Sequence, residues 1–395
     1  MEIDVGPELA PSAAGHAPKQ AAPGAPESDP ASGTAHHQSE PARVLTQMVP
    51  WAAVERRGRR VVVTGAAGFI GSHLAETLLR RGEQVTALDR AVGHPDVLSD
   101  LQQPAGNPRW RAQRTELALD DLDDLLVDVD TVFHLAAVPG VRDSWDARFA
   151  DYAASNVVGT HRLLGACERA GVRRLVLASS SSVYGQVSGL SCEQDPAAPV
   201  SPYGVTKLAA EQLCLVHAAR ADTDLEVVVL RYFTVYGPRQ RRDMAISRVL
   251  RAALSRPAAG PQFQLYGDGS QRREFTYIDD VVTATIAAGV VPLPAGVVVN
   301  IGGGSTASMR DVLDLAEEIT GRPVPVLSTG RRPGDVEATG ADLTRARALL
   351  GYRPSVDLRE GMTRHATWLA GTCETLATPG VSTRSGLVRA SGSQP

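Results

Sequence analysis

Residues 60–82 read RVVVTGAAGFIGSHLAETLLRRG. The apolar run from Arg60 to Thr64 predicts a buried strand. The apolar spacing that follows predicts an amphipathic helix from about Phe69 to Arg81. Between them Gly65, Gly68 and Gly71 stand three apart. Glycines at that spacing let the backbone turn sharply and bring a helix N-terminus close to an anion. A second strand, Gln84 to Asp89, follows. Further strand and helix signals lie at Asp130–Leu135 (strand), about 147–170 (helix), Arg174–Ser179 (strand), about 201–221 (helix) and Leu225–Arg231 (strand). Strands alternating with helices predict an α/β fold, a doubly wound parallel sheet covered on both faces. Beyond about residue 232 the rhythm is irregular, although Val297–Ile301 reads as one more strand. That part predicts a smaller C-terminal substrate-binding lobe, partly interleaved with the sheet. No internal repeat is visible.

Composition narrows the function. A chain of 395 residues with 43% hydrophobic content has enough apolar matter for one large domain or two joined ones. A net charge of −4 gives no electrostatic case for nucleic acid. There is no apolar run of membrane-spanning length and no basic segment leading into an apolar core, so neither a membrane nor a secretory role is expected. Cys167, Cys192, Cys214 and Cys373 show no paired spacing, which suits a reduced cytoplasmic protein and predicts no metal site. Residues 1–57 and 372–395 are rich in small and polar residues and read as disordered tails. Between them, 58–231 is expected to bind a dinucleotide and 232–371 mainly a substrate.

The glycine turn is informative through its context. Asp89 closes the second strand, 18 residues beyond Gly71. An acid there hydrogen-bonds a ribose 2′-hydroxyl and repels a 2′-phosphate, which favours NAD over NADP. The adjacent Arg90 leaves some tolerance for NADP. Gly65, Gly68, Phe69, Ile70, Gly71 and Asp89 are therefore candidate cofactor residues.

Lysine supplies the second signal. Of the 40 Lys and Arg residues only Lys19 and Lys207 are lysine. Lys207 lies four residues after Tyr203, in SPYGVTKLAAEQ (201–212). That spacing puts both on one helix face. An ammonium in this position is expected to stabilise the phenolate and lower the tyrosine pKa from about 10, which makes the hydroxyl a usable proton-transfer group. Taken alone, the pair also fits an ordinary surface helix.

The three-spaced glycines, the SSSSVYG stretch (179–185), Tyr203 and Lys207 together resemble the extended short-chain dehydrogenase/reductase family, in its branch that works on nucleotide sugars. The resemblance covers nearly all of 59–370 and implies a Rossmann-like fold. It implies that Leu135, Ala136 and Ala137 of HLAAVPGVRDSW (134–145) line the cofactor. Where the family usually carries a Gly-Asp pair after the third strand, this chain has Arg114-Thr115-Glu116-Leu117, so Glu116 and Leu117 take that place near the adenine. Ser180 matches the family's catalytic Ser/Thr, Tyr203 its base, and Lys207 the residue that holds both the nicotinamide ribose and the tyrosine. The family commonly pairs helices into a homodimer, for which those at about 147–170 and 201–221 would serve.

The same resemblance discriminates between reactions. The 4,6-dehydratases typically carry Asp and Glu after the catalytic hydroxyl, and UDP-glucuronate decarboxylases a Glu at the second position. Here Ser181 and Ser182 stand there, and a hydroxyl does not replace a carboxylic acid. What remains is reversible hydride transfer at C4 of a nucleotide sugar, which is epimerisation. In LRYFTVYGPRQRRDMAISR (230–248), Thr234 and Arg241 resemble the UDP-glucuronate 4-epimerases; the UDP-galactose 4-epimerases usually have Asn at the first of these. Ser181, Ser182 and Thr234 would grip the sugar carboxylate. Arg273 in GDGSQRREFTYIDD (267–280) resembles the clamp on the nucleotide diphosphate, and Arg332 and Asp335 in RRPGDV (331–336) resemble ribose and phosphate contacts; Arg272 reads as a solvated neighbour. A UDP-glucose 4-epimerase, a decarboxylase or dehydratase, a net dehydrogenase and a binding-only relative are the alternatives. UDP and dTDP sugars are not distinguished.

Overall fold

The computed structural model describes residues 58–91, 107–146, 148–255, 262–330 and 336–377, with the backbone alone for 373–377. The tail expected at 1–57, and the part of the tail expected at 372–395 that lies beyond 377, fall outside the described residues. In chain order the elements are β1 (Arg60–Thr64), α1 (Phe69–Arg80), β2 (Gln84–Asp89), β3 (Trp110–Arg114), β4 (Thr131–His134), α2 (Phe149 to Arg169), β5 (Arg174–Ser180), α3 (Pro202–Ala218) and β6 (Glu226–Tyr232). There follow β7 (Val235–Tyr236), α4 (Ala245–Leu254), β8 (Phe263–Tyr266), β9 (Arg272–Glu274), β10 (Thr276–Tyr277) and α5 (Ile278–Ala288). The chain closes with β11 (Val297–Ile301), β12 (Thr306–Ser308), α6 (Met309–Thr320), β13 (Val326–Thr329), α7 (Thr344–Leu350) and α8 (Leu358–Ala377).

Seven strands form one sheet in the order β11-β6-β5-β4-β1-β2-β3, every pairing parallel. The apolar runs read from the sequence follow from burial on both faces. Val61 and Val63 join one core with Leu74 and Leu78 of α1, while Val62 joins the other with Leu163 and Leu164 of α2. Strand β5 alternates in the same way: Val176 and Ala178 face the first core, Leu175 and Leu177 the second. Each buried Val or Leu side chain contributes about 1.5–3 kcal/mol.

Two elements differ from the sequence reading. α2 is not uniformly α-helical: Ala153–Val158 is a π turn. An inserted turn of this kind re-aims side chains, and Asn156 within it makes three bonds described below. α8 runs to Ala377, past the expected boundary at 371, and the Thr372 hydroxyl donates back to the Trp368 carbonyl at 3.0 Å.

Beyond β6 the chain adds β11 to the sheet and otherwise builds two-stranded pairs, β7 with β10, β8 with β13, and β9 with β12. Buried acids tie these pieces together. Glu274 accepts the N–H groups of Gly304 (2.8 Å) and Ala341 (2.5 Å), and Asp280 accepts from Ser355 and Val356. Arg272, expected to be solvated, donates to the Thr306 hydroxyl (3.1 Å) and carbonyl (2.6 Å) and so staples β9 to β12.

Candidate active site

The turn after β1 is too tight for side chains. Gly65 has φ +70°, and a Cβ there would lie 2.7 Å from the Ala136 nitrogen. A Cβ on Gly71 would lie 2.1 Å from the Gly65 carbonyl oxygen. The helix thus begins against the ends of β1 and β4, with the first-turn N–H groups directed at the open side. Asp89, at the end of β2, fixes the turn: one carboxylate oxygen accepts the Ala67 N–H at 3.0 Å and the other the Ala91 N–H at 2.9 Å. The Glu116 N–H is held by Asp120 at 2.7 Å.

A cavity of about 1310 Å³ opens along these strand ends. Its wall includes Gly65, Gly68, Phe69, Ile70, Gly71, Asp89, Glu116, Leu117, Leu135, Ala136 and Ala137 on one side. It also includes Ser180, Ser181, Ser182, Tyr203, Lys207, Thr234, Arg241 and Arg273. Every sequence-derived site residue except two therefore borders one space. Those two, Arg332 and Asp335, lie outside the described residues.

α3 begins where it must to present Tyr203. The Ser201 hydroxyl caps it by accepting the Gly204 N–H at 3.1 Å, and Pro202 occupies the first turn. Ser180 lies close enough to Tyr203 to favour its ionised form, and its Oγ accepts the Ser182 N–H at 3.1 Å. The Tyr152 ring meets the Tyr203 ring edge-on, centroids 6.3 Å apart at 74°, and the Tyr152 hydroxyl donates to the Pro139 and Gly140 carbonyls.

Burial pushes the Tyr203 hydroxyl above its ordinary value; Ser180 and the Arg241 guanidinium pull it back. The Lys207 ammonium points to the end of β5 and donates to the Ala178 carbonyl at 2.6 Å. Burial pushes Lys207 itself down to about 8, and Glu211 is the leading group that holds it up. Beside it His134, fully buried, bridges the Thr64 and Thr160 hydroxyls at 2.8 and 2.9 Å. Desolvation, with the Lys207 charge, lowers this imidazole to about 3.

At the sugar side Arg241 is forked onto Asp243, Nη2 to Oδ2 at 2.6 Å and Nε to Oδ1 at 3.0 Å. Arg273 donates to the Arg272 carbonyl at 2.8 Å. Sequence reasoning missed several wall residues. Arg142 lies 4.5 Å over the Tyr266 ring and Arg248 5.2 Å over Phe263, which brings two more cations to the far end. It also missed Asn156, whose amide accepts from the Val138 N–H (2.7 Å) and donates to the Val138 carbonyl (3.1 Å) and Thr206 hydroxyl (3.0 Å). No spacing rule flags these, since each depends on contacts between distant segments.

The residues present fit a dinucleotide: a turn with no room for Cβ atoms at a helix start, and an acid at the end of the next strand. Comparison with known proteins agrees. Residues 61–302 match the model of the NAD dependent epimerase/dehydratase family. An uncharacterised UDP-glucose epimerase of Bacillus subtilis, YtcB, is 41% identical over 79% of this chain and 98% of its own. The structure of MoeE5 in complex with UDP-glucuronic acid and NAD is similar at a TM-score of 0.73 with 45% identity, covering 79% of this chain and 99% of that one. The UDP-glucuronic acid 4-epimerase of Bacillus cereus, solved with UDP-glucuronic acid and NAD, is similar at a TM-score of 0.73 with 39% identity, over 79% and 99%. The chain therefore belongs to the NAD dependent epimerase/dehydratase family, as an NAD-dependent epimerase. Among the described residues no group of acidic, His and Cys side chains is arranged to hold a metal, and no helix is long and apolar enough to cross a membrane.

Proposed function

We propose that this enzyme interconverts UDP-glucuronate and UDP-galacturonate by transient oxidation at C4. One observation carries the reading. Tyr203 shares a cavity with Ser180, Ser181, Ser182, Thr234 and Arg241, and the two positions after Ser180 hold hydroxyls where an eliminating or decarboxylating enzyme needs an acid. NAD, when bound, supplies reversible hydride acceptance at the sugar carbon. The chain's own residues do the rest. Tyr203 takes the proton from the C4 hydroxyl and later returns it, with Ser180 steadying the oxygen. Lys207 holds the cofactor ribose. Ser181, Ser182 and Thr234 orient the sugar carboxylate, supported by Arg241. Orientation matters because oxidation at C4 makes a β-keto acid, and holding the carboxylate out of alignment keeps its carbon dioxide in place. Arg273, with Arg332 and Asp335, anchors the nucleotide far from the chemistry, which leaves the ring free to turn over.

In this reading residues 58–231 bind NAD and 232–371 mainly the nucleotide sugar. The enzyme works in the cytoplasm as a homodimer paired through α2 and α3. Exposed Val158, Val205 and Val216 on those helices support such a contact.

The test is a product assay. NAD-loaded enzyme given UDP-glucuronate and no reductant yields UDP-galacturonate by NMR, with no net reduced cofactor. Accumulation of UDP-xylose or of a 4-keto-6-deoxy sugar overturns the reading of Ser181 and Ser182.

A further inference from the structure

Tyr203 and Lys207 are two members of a longer series on α3. Continuing at the same four-residue step, the next position is Glu211, fully buried. All three side chains engage consecutive residues at the end of β5. Ser180 sits against Tyr203, the Ala178 carbonyl accepts from Lys207 at 2.6 Å, and the Ser179 hydroxyl donates to Glu211. From the far side Arg231 of β6 forks onto Glu211, Nη2 to Oε2 at 2.8 Å and Nε to Oε1 at 3.1 Å. The Arg231 guanidinium lies 4.6 Å over the Tyr184 ring, and the Tyr184 hydroxyl donates to Asn300 of β11 at 2.7 Å.

A buried ion pair is weak evidence for stability, since desolvation offsets much of its attraction. A more specific use fits this geometry. We propose that Glu211 is a positioning residue for the reaction: clamped between Ser179 and Arg231, its carboxylate fixes the register of α3 on the end of β5 and supplies the negative charge that Lys207 needs to stay an ammonium. The inference rests on the role given to Lys207 above. The charged and titratable groups around that ammonium are His134 from β4, Cys214 and Glu211 from α3, and, behind Glu211, Arg231 from β6. His134 is held neutral and the Cys214 thiol is pushed up by burial to about 12, which leaves Glu211, paired with Arg231, as the carboxyl group beside Lys207.

The chain's composition makes a direct test available. Only Lys19 and Lys207 are lysine, so lysine-selective isotopic labelling gives two side-chain signals, and Lys207 is titrated by NMR without reference to turnover. In the full-length NAD-loaded protein, Glu211→Gln is expected to move the Lys207 midpoint down by about one pH unit or more. The alkaline limb of kcat should move down with it, while KM for the nucleotide sugar stays within about twofold, because Glu211 does not reach the sugar. Since Glu211→Gln leaves Arg231 buried beside a neutral amide, which costs folding stability, the double variant Glu211→Gln/Arg231→Gln removes both charges. A folded double variant with the Lys207 midpoint below that of Arg231→Gln supports the proposal. A midpoint unchanged in a folded single variant, or equal in the double variant and in Arg231→Gln, overturns it and leaves the pair a structural tie. Wild-type enzyme that fails to epimerise in the product assay sinks the proposed function instead, while the Lys207 titration still judges Glu211.

Discussion

Residues 58–232 and residues 233–377 border one cavity but reach it by different means. In the first stretch the site residues hang on strand ends and helix starts: Gly65 after β1, Asp89 on β2, Ser180 on β5, Tyr203 one residue into α3. In the second Thr234 sits between β6 and β7, Arg241 on the loop after β7 and Arg273 on the three-residue β9, where the buried Glu274 ties neighbouring segments together. The first stretch carries the groups assigned to proton and cofactor handling, and the second most of those assigned to the substrate. Chemistry that needs sub-ångström placement rests on periodic elements, whereas recognition that varies between relatives rests on joinery.

The contrast is open to experiment. The largest effect is expected in the first stretch. Tyr203→Phe should lower kcat by at least about a hundredfold with little change in thermal stability, since it removes one hydroxyl and leaves the ring packed against Tyr152. A collapse of folding in thermal melts would make the residue structural. The second stretch should respond in binding instead. Arg273→Gln should raise KM for the nucleotide sugar about tenfold or more with kcat nearly unchanged, the loss of a charge-assisted contact. A fall in kcat at constant KM would erase the proposed division.

The smallest effect is shared. Buried or half-buried imidazoles in both stretches are held neutral: His134 lowered to about 3 by burial and Lys207, His73 to about 4 by its partial burial and Arg239, and His365 to about 4 by burial and Arg251. Each binds a proton more readily when unfolded than when folded, so acid favours the unfolded chain. Their stabilisation is present above about pH 6.5 and is lost as the pH falls through about 4. Melting temperatures measured across that window should drop by a few degrees or more, and His365→Leu should reduce the slope. A flat profile would mean that these rings ionise without cost.

This division also explains what was legible in the sequence. The strands and helices up to β6 declare themselves because every second residue of β1, β5 and β6 feeds a different core, which writes a continuous apolar run. The glycine turn is legible because Gly65 and Gly71 have no room for a Cβ. After Tyr232 the pairs β7–β10 and β9–β12 join segments tens of residues apart, and two or three residues are too few to carry a period. In the site, Tyr203 and Lys207 stood out by spacing, yet the direction of the ammonium did not follow from it. One turn of helix places Lys207 beside the tyrosine, but the Ala178 carbonyl decides where its charge points. Glu211 was missed although the same spacing reaches it, because an acid in a helix reads as solvent-facing until its burial is seen.

Strand β5 pairs with β6 in a register that sets Ser179 beside Arg231 and Ser180 beside Tyr232. Neighbouring residues of a pleated strand point oppositely, so these two hydroxyls serve two different masters. Deleting one residue upstream in β5 would move every later residue by one pleat, setting Ser180 toward Glu211, Ser181 toward Tyr203 and Val183 where Ser182 stood. The active site thus has a reading frame, and a frameshift of one pleat would scramble it while nearly the same atoms remained present.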